Sequence, residues 1–203
     1  MKNFLLFVCI LICFAGCKKK SDTVDSSGIH VFKGIVVTDM AGNALGTWGT
    51  EDGDWGNDHN WTASENELLN FPDTVSLDGT YINDTTGWNN DPGAQQPQNF
   101  VAGFPNPTAT GSVLVFKNYG KLKLKVVVVD KQYKRLDTIS EKWSGLMEYS
   151  LNFSDSTKYP DGVYRVYYSF STKDSLNFYK GHGDILICRD PTIGGQNCKN
   201  MVP

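Results

Sequence analysis

The side chains best suited to chemistry crowd between residues 48 and 61. Glu51, Asp52, Asp54 and Asp58, with Asn57 and Asn60, place oxygen donors on one short segment, the ligand type that a hard cation such as Ca²⁺ takes. A twelve-residue calcium loop needs acids or amides at alternate positions ahead of a fixed glycine. From Asp52 the fifth position is Gly56, and from Asp54 the third is Gly56, so neither register fits. The acids read better as a solvated loop, and no metal is expected. Trp48, Trp55, Trp61 and Trp88 lie in the same acidic part of the chain. Exposed indoles beside Asp and Asn suit glycan binding, with the ring against pyranose C–H groups and the polar groups on hydroxyls. The same rings can instead staple a small, loop-rich unit by burying large areas, and that reading is favoured.

Catalytic constellations are harder to find. A glycosidase needs two carboxylates about 5–10 Å apart. Acids are abundant, yet nothing singles out a pair. No G-x-S-x-G nucleophile elbow occurs, and His30, His59 and His182 are scattered outside any recognised signature. The expectation is a non-enzymatic protein with no cofactor.

The amino terminus sets an address. After Met1-Lys2-Asn3 an apolar run extends from Phe4 to Ala15, followed by Gly16-Cys17 and Lys18-Lys19-Lys20. A membrane span needs about 20 apolar residues, and this run is shorter, so it reads as a secretory signal. Phe14-Ala15-Gly16-Cys17 resembles the bacterial lipobox, with Phe14 where an aliphatic residue is usual. The resemblance implies cleavage after Gly16 and a diacylglyceryl group on the Cys17 thiol, anchoring the chain in a membrane of the cell envelope. Lys18 stands where an aspartate commonly retains lipoproteins at the inner membrane, which implies the outer membrane. Residues 1–16 are thus the signal peptide, and the polar residues 17–29 a flexible tether.

Cys9 and Cys13 fall within the signal peptide. Cys188 and Cys198 remain, and in an oxidising envelope they read as a disulfide pinning the C-terminal tail. A metal site joining them to His182 fits no common zinc spacing.

Charge is unevenly spread. Residues 28–110 carry eleven acids against the single base Lys33, whereas residues 111–203 carry fourteen Lys and Arg against nine acids. The halves are expected to attract each other. A net charge of −3 and an envelope address argue against nucleic-acid binding. The expected partners are the membrane, through lipid on Cys17, and an envelope protein or polysaccharide.

These groups must be positioned by strands. Met147–Phe153 alternates apolar and polar residues, the two-residue period of a half-buried strand. Val163–Phe170 sets Tyr164, Val166, Tyr168 and Phe170 on one face and Arg165 and Ser169 on the other. Leu122–Val129 alternates Leu and Lys, then turns all valine, as a strand does on entering a two-sided interior. Asp130-Lys131-Gln132 turns the chain into Tyr133–Ile139, a hairpin partner. Val113–Phe116, Leu176–Tyr179 and Ile185–Cys188 complete a set of short strands. In the first half, His30–Thr38 reads as a strand, Ala41-Gly42-Asn43 as a turn, and Ser64–Glu67 as a capping box for one helical turn that Pro72 ends. Residues 89–107, with four prolines, read as a linker or crossover. The fold class is all-β: a sandwich at 100–190, an acidic, Trp-rich subdomain at 30–99 packed on it, and a tail at 191–203. At 40% hydrophobic the chain can bury a real core.

Phe104-Pro105-Asn106-Pro107 opens a stretch that resembles the C-terminal sorting domains of type IX secretion cargo. Val113–Phe116, the hairpin through Val126–Gln132, Asp161-Gly162-Val163-Tyr164 and the last strand through Ile185-Leu186-Ile187 carry the likeness. It covers residues 100–188 and implies an immunoglobulin-like sandwich. Two departures stand against a sorting role: such cargo normally lacks a lipobox, and here Arg189–Pro203 continues past the last strand.

Overall fold

Val126 to Val129 have no wet face to turn to: all four are fully buried. Val126 and Val128 enter one apolar cluster and Val127 and Val129 another, on the opposite side of the sheet. A strand covered on both faces reads as a continuous apolar run, which is why the leucine–lysine alternation gives way to valine here. The computed structural model describes residues 32–50, 54–58, 60–72, 75, 101–171, 175–190 and 196–203, except the side chains of 116–122, 143–147 and 196. The signal peptide and tether lie outside the described residues.

The chain is mostly strand. In order come β1 (Gly34–Thr38), β2 (Ala44–Gly49), α1 (Ala63–Leu68), β3 (Val101–Phe104), β4 (Gly111–Val129), β5 (Arg135–Asn152), β6 (Gly162–Ser171), β7 (Tyr179–Ile187) and α2 (Gln196–Lys199). β1 and β2 form an antiparallel ribbon. The other five make an antiparallel sheet of order β3-β4-β6-β7, with β5 on the far edge of β4. The result is an all-β, sandwich-like fold.

Four of the short strands expected from alternation are halves of two long ones. Val113–Phe116 and Leu122–Val129 both belong to β4, and Tyr133–Ile139 and Met147–Phe153 both fall largely in β5. The β4–β5 register shifts between Lys117 and Lys121. Before that shift β4 pairs with β3, and after it with β6. Leu114 and Val101 from the first part then meet Leu124, Val166 and Ile185 from the second in one buried cluster, so both parts of β4 feed the same core. The Asp130 turn forms as expected. Its carboxylate accepts the Gln132 and Lys134 amides, and Tyr133 takes a left-handed φ of 60°.

Three expectations need correction. Val101–Phe104, inside the stretch read as a linker, is a strand, because it completes the edge of β4. Leu176 lies in a turn and is 77% exposed, so β7 starts only at Tyr179. The capping box sits two residues earlier than the Ser64 pattern suggests. Thr62 accepts the Glu65 amide, and the Glu65 carboxylate accepts the Thr62 amide.

Candidate functional site

The two faces of β6 and β7 differ in chemistry. Tyr164, Val166, Tyr168 and Phe170 point into the main core, along with Tyr179, Ile185 and Ile187. The other face carries Arg165, Tyr167, Ser169, His182 and Asp184, all buried. Arg165 and Asp184 are register partners and form a bidentate pair, with both bonds 2.7 Å. The Tyr167 hydroxyl donates to Glu65 Oε1 at 2.8 Å, tying the sheet to α1. His182 Nδ1 lies 3.8 Å from Asp58 Oδ2.

Residues 54–58 run along the free edge of β7. The Trp55 amide donates to the His182 carbonyl and the Asp58 amide to the Lys180 carbonyl, while the Tyr168 hydroxyl donates to the Gly56 carbonyl. Trp55 lies nearly parallel to Tyr168, with ring centroids 6.3 Å apart. A Cβ at Gly103 or Gly183 would overlap its ring, so only glycine at these positions admits the indole. Trp55 also holds a φ of 63°, a left-handed conformation that disfavours a bulky residue by roughly 1–2 kcal/mol. Strain of this kind persists where surrounding structure over-determines it, and it concentrates at functional sites.

Beside this strained residue lies Asp54. Both of its carboxylate oxygens are buried, and the donors beside them among the described residues are the amides of Asp184 and Val36. Burial pushes the carboxyl up to about 8, and the Asp184 carboxylate adds to the rise; Arg165 and the amides of Asp184 and Val36 offset only part of it. Asp54 and Trp55 line a cavity of about 380 Å³, together with Val36 and Thr38 of β1 and Val101, Ala102 and Gly103 of β3. That volume accommodates a small organic molecule. An apolar recess with a buried, perturbed carboxyl is the usual form of a binding site.

The residues singled out from sequence are not brought together. Cys17, Trp88, Glu51, Asp52, His30 and His59 lie outside the described residues. The three described tryptophans go to three different clusters: Trp55 to the main core, Trp61 to that of Val127 and Tyr167, and Trp48 to that of Ile35 and Leu186. Trp61 is 7% exposed, makes an edge contact with Tyr167 and is capped by the Lys180 ammonium 4.6 Å from its ring centre. These three rings therefore share no exposed face. Cys188 and Cys198 are joined by a disulfide, buried against Ile35 and Leu186. Among the described residues no group of three or more His, Cys, Asp and Glu is placed to hold a metal ion.

The buried face was missed because Arg165 and Ser169 read as the polar, solvent-facing side of a strand. The valine run held the signal. β6 pairs with Val126–Val129, so the second face that covers the valines covers Arg165 as well. A buried guanidinium in turn requires an acid opposite.

The fold and site define an all-β protein with a small-molecule-sized recess. No protein family, curated protein or solved structure matches this chain.

Proposed function

We propose that this chain is a lipid-anchored, non-enzymatic protein of the bacterial envelope, held in the outer membrane through Cys17, and that its folded unit binds a small, largely apolar ligand. The lipobox-like Phe14–Cys17 segment supports the anchor. No helix among the described residues is long and apolar enough to cross a membrane. The single observation carrying the binding reading is the cavity between β1 and β3, with Asp54 and Trp55 in its wall. The immunoglobulin-like likeness draws support from Tyr164, whose hydroxyl donates to the Pro160 carbonyl at 2.6 Å, the contact of a tyrosine corner.

Two measurements test this. A Cys17→Ser variant is expected to lose its fatty-acyl mass and leave the membrane fraction; full membrane retention rejects the anchor. For the cavity, 2-phenylethanol is titrated into the full-length protein in lipid nanodiscs, with tryptophan fluorescence as readout and empty discs as blank. Saturable binding that Ala102→Leu abolishes supports the reading. An unchanged isotherm in that variant places the ligand elsewhere.

A further inference from the structure

The β1–β2 hairpin leaves two large apolar side chains in water. Met40, in its turn, is 80% exposed, and Leu45, in β2, is 67% exposed. Local structure holds both outward. Val37 pairs with Gly46 and Thr38 with Ala44, which leaves Leu45 as the extra residue of a bulge, a device that re-aims a side chain. The Asp39 carboxylate accepts the Ala41 and Asn43 amides and the Asn43 side-chain amide, closing the turn that displays Met40. The turn also rests on Phe104, whose ring a Cβ at Gly42 would strike.

Charge and chain length point to the occupant. Met40–Thr50 carries no charged residue, although it lies in the acid-rich half of the chain. Asp39, just before it, has its carboxylate taken up by donors of the turn. An apolar tip without ionic groups matches lipid better than a charged protein surface. From Cys17 to Phe32 is fifteen residues of chain, which span at most about 50 Å. A link of that length holds the folded unit near the bilayer at an effective concentration of about millimolar, so a contact too weak to last alone becomes populated.

We propose that the β1–β2 tip docks on the membrane that holds the anchor, with Met40 and Leu45 entering the boundary between headgroups and acyl chains. This rests on the Cys17 anchor reading and adds which face of the folded unit meets the lipid. Burial at that boundary is shallow, about 5–10 Å.

In the mature protein Cys17 is acylated and Cys188 is bonded to Cys198, so a single introduced cysteine takes a thiol label alone. Met40→Cys, Leu45→Cys and, as a control on another exposed turn, Lys131→Cys are labelled with the fluorophore NBD in vesicles of phosphatidylethanolamine and phosphatidylglycerol. All three sites are exposed, so the fold is not at stake. Lipid carrying a nitroxide near the top of the acyl chain is expected to quench the labels that replace Met40 and Leu45 about twofold or more, and the one that replaces Lys131 far less. Protein that floats with the vesicles yet shows no quenching at the hairpin beyond that of the control overturns the tip contact and leaves the anchor standing. Equal quenching of all three labels overturns it too, because the contact is then not confined to the tip. Protein that does not float, or whose unmutated form takes the label on Cys17, removes the anchor reading and this assignment with it.

Discussion

Arg165 on β6 and Asp184 on β7 face each other as a closed pair, Nε to Oδ1 and Nη2 to Oδ2, with neither side chain more than 1% exposed. Phe32 lies over the guanidinium, whose carbon is 4.8 Å from the ring centre. A pair so far from water costs much to break and little to replace whole. Asp184→Asn is therefore expected to lose about 3–5 kcal/mol in urea unfolding. The double change Arg165→Met with Asp184→Leu should recover a large part of that. A double variant as unstable as the single one would mean that the charges themselves hold the sheet.

Asp54 gives folding a pH dependence of unusual sign for an acid. Its carboxyl is held at about 8 in the folded chain against an ordinary 3.8. Between those values the folded state keeps a proton that the unfolded state has released. The group's contribution is thus complete below pH 3.8, shrinks as pH rises, and levels off above about 8. Its slope approaches, at most, about 1.4 kcal/mol per pH unit. Asp54→Asn lacks this titration, so parent and variant stability curves should diverge steadily from pH 4 to pH 8, the parent falling relative to the variant. Parallel curves over that range would mean that the carboxyl titrates normally.

Thr62 and Glu65 close the first turn of α1 reciprocally, and Glu65 also receives the Tyr167 hydroxyl from the sheet. Thr62→Ala should cost about 0.5–2 kcal/mol, the usual loss for an N-cap. Ser64→Ala, at the position the sequence pattern favours for the cap, should cost far less. Comparing the two melting temperatures tells which residue starts the helix, and an equal loss in both would contradict the Thr62 cap.

How much of this could be read from the chain alone follows from which forces are local. The Asp130 turn, the Tyr164–Phe170 core face and the valine run were legible because each is written in neighbouring residues. Asp161-Gly162 likewise turns the chain so that Tyr164 enters the core, where it is 4% exposed. The length of β4 was not legible, since Lys117–Lys121 interrupts the alternation while β5 continues alongside. From its neighbours alone, Asp54 reads as one of several solvated acids. Its burial depends on β7 lending backbone partners to residues 54–58, a contact across more than a hundred residues. Charge counting does not foresee that Lys125 and Arg135 reach the carbonyls of Leu69 and Asn70.

Asn106 offers the sharpest test of how the cavity wall is held. It sits between the two prolines of Pro105-Asn106-Pro107 and is fully buried. Its Nδ2 donates to the carbonyls of Val36 and Asp184, and its Oδ1 accepts the Leu186 amide, each at 2.9 Å. One side chain thus joins β1 to β7 beside the recess that Val36 lines. Asn106→Ala leaves one buried donor and two acceptors unmet, at about 1–3 kcal/mol each before any relaxation, so a loss of at least about 3 kcal/mol is expected. Asn106→Asp separates packing from hydrogen bonding. The carboxylate keeps the size of the amide and can still accept from Leu186, but it sets negative charge against two carbonyl oxygens. It should be as damaging as alanine at pH 8 and milder at pH 4, where protonation restores one donor. Urea unfolding of both variants at the two pH values reads this out. An aspartate variant as stable as the parent at pH 8 would show that the two carbonyl bonds contribute nothing to holding β1 on the sheet.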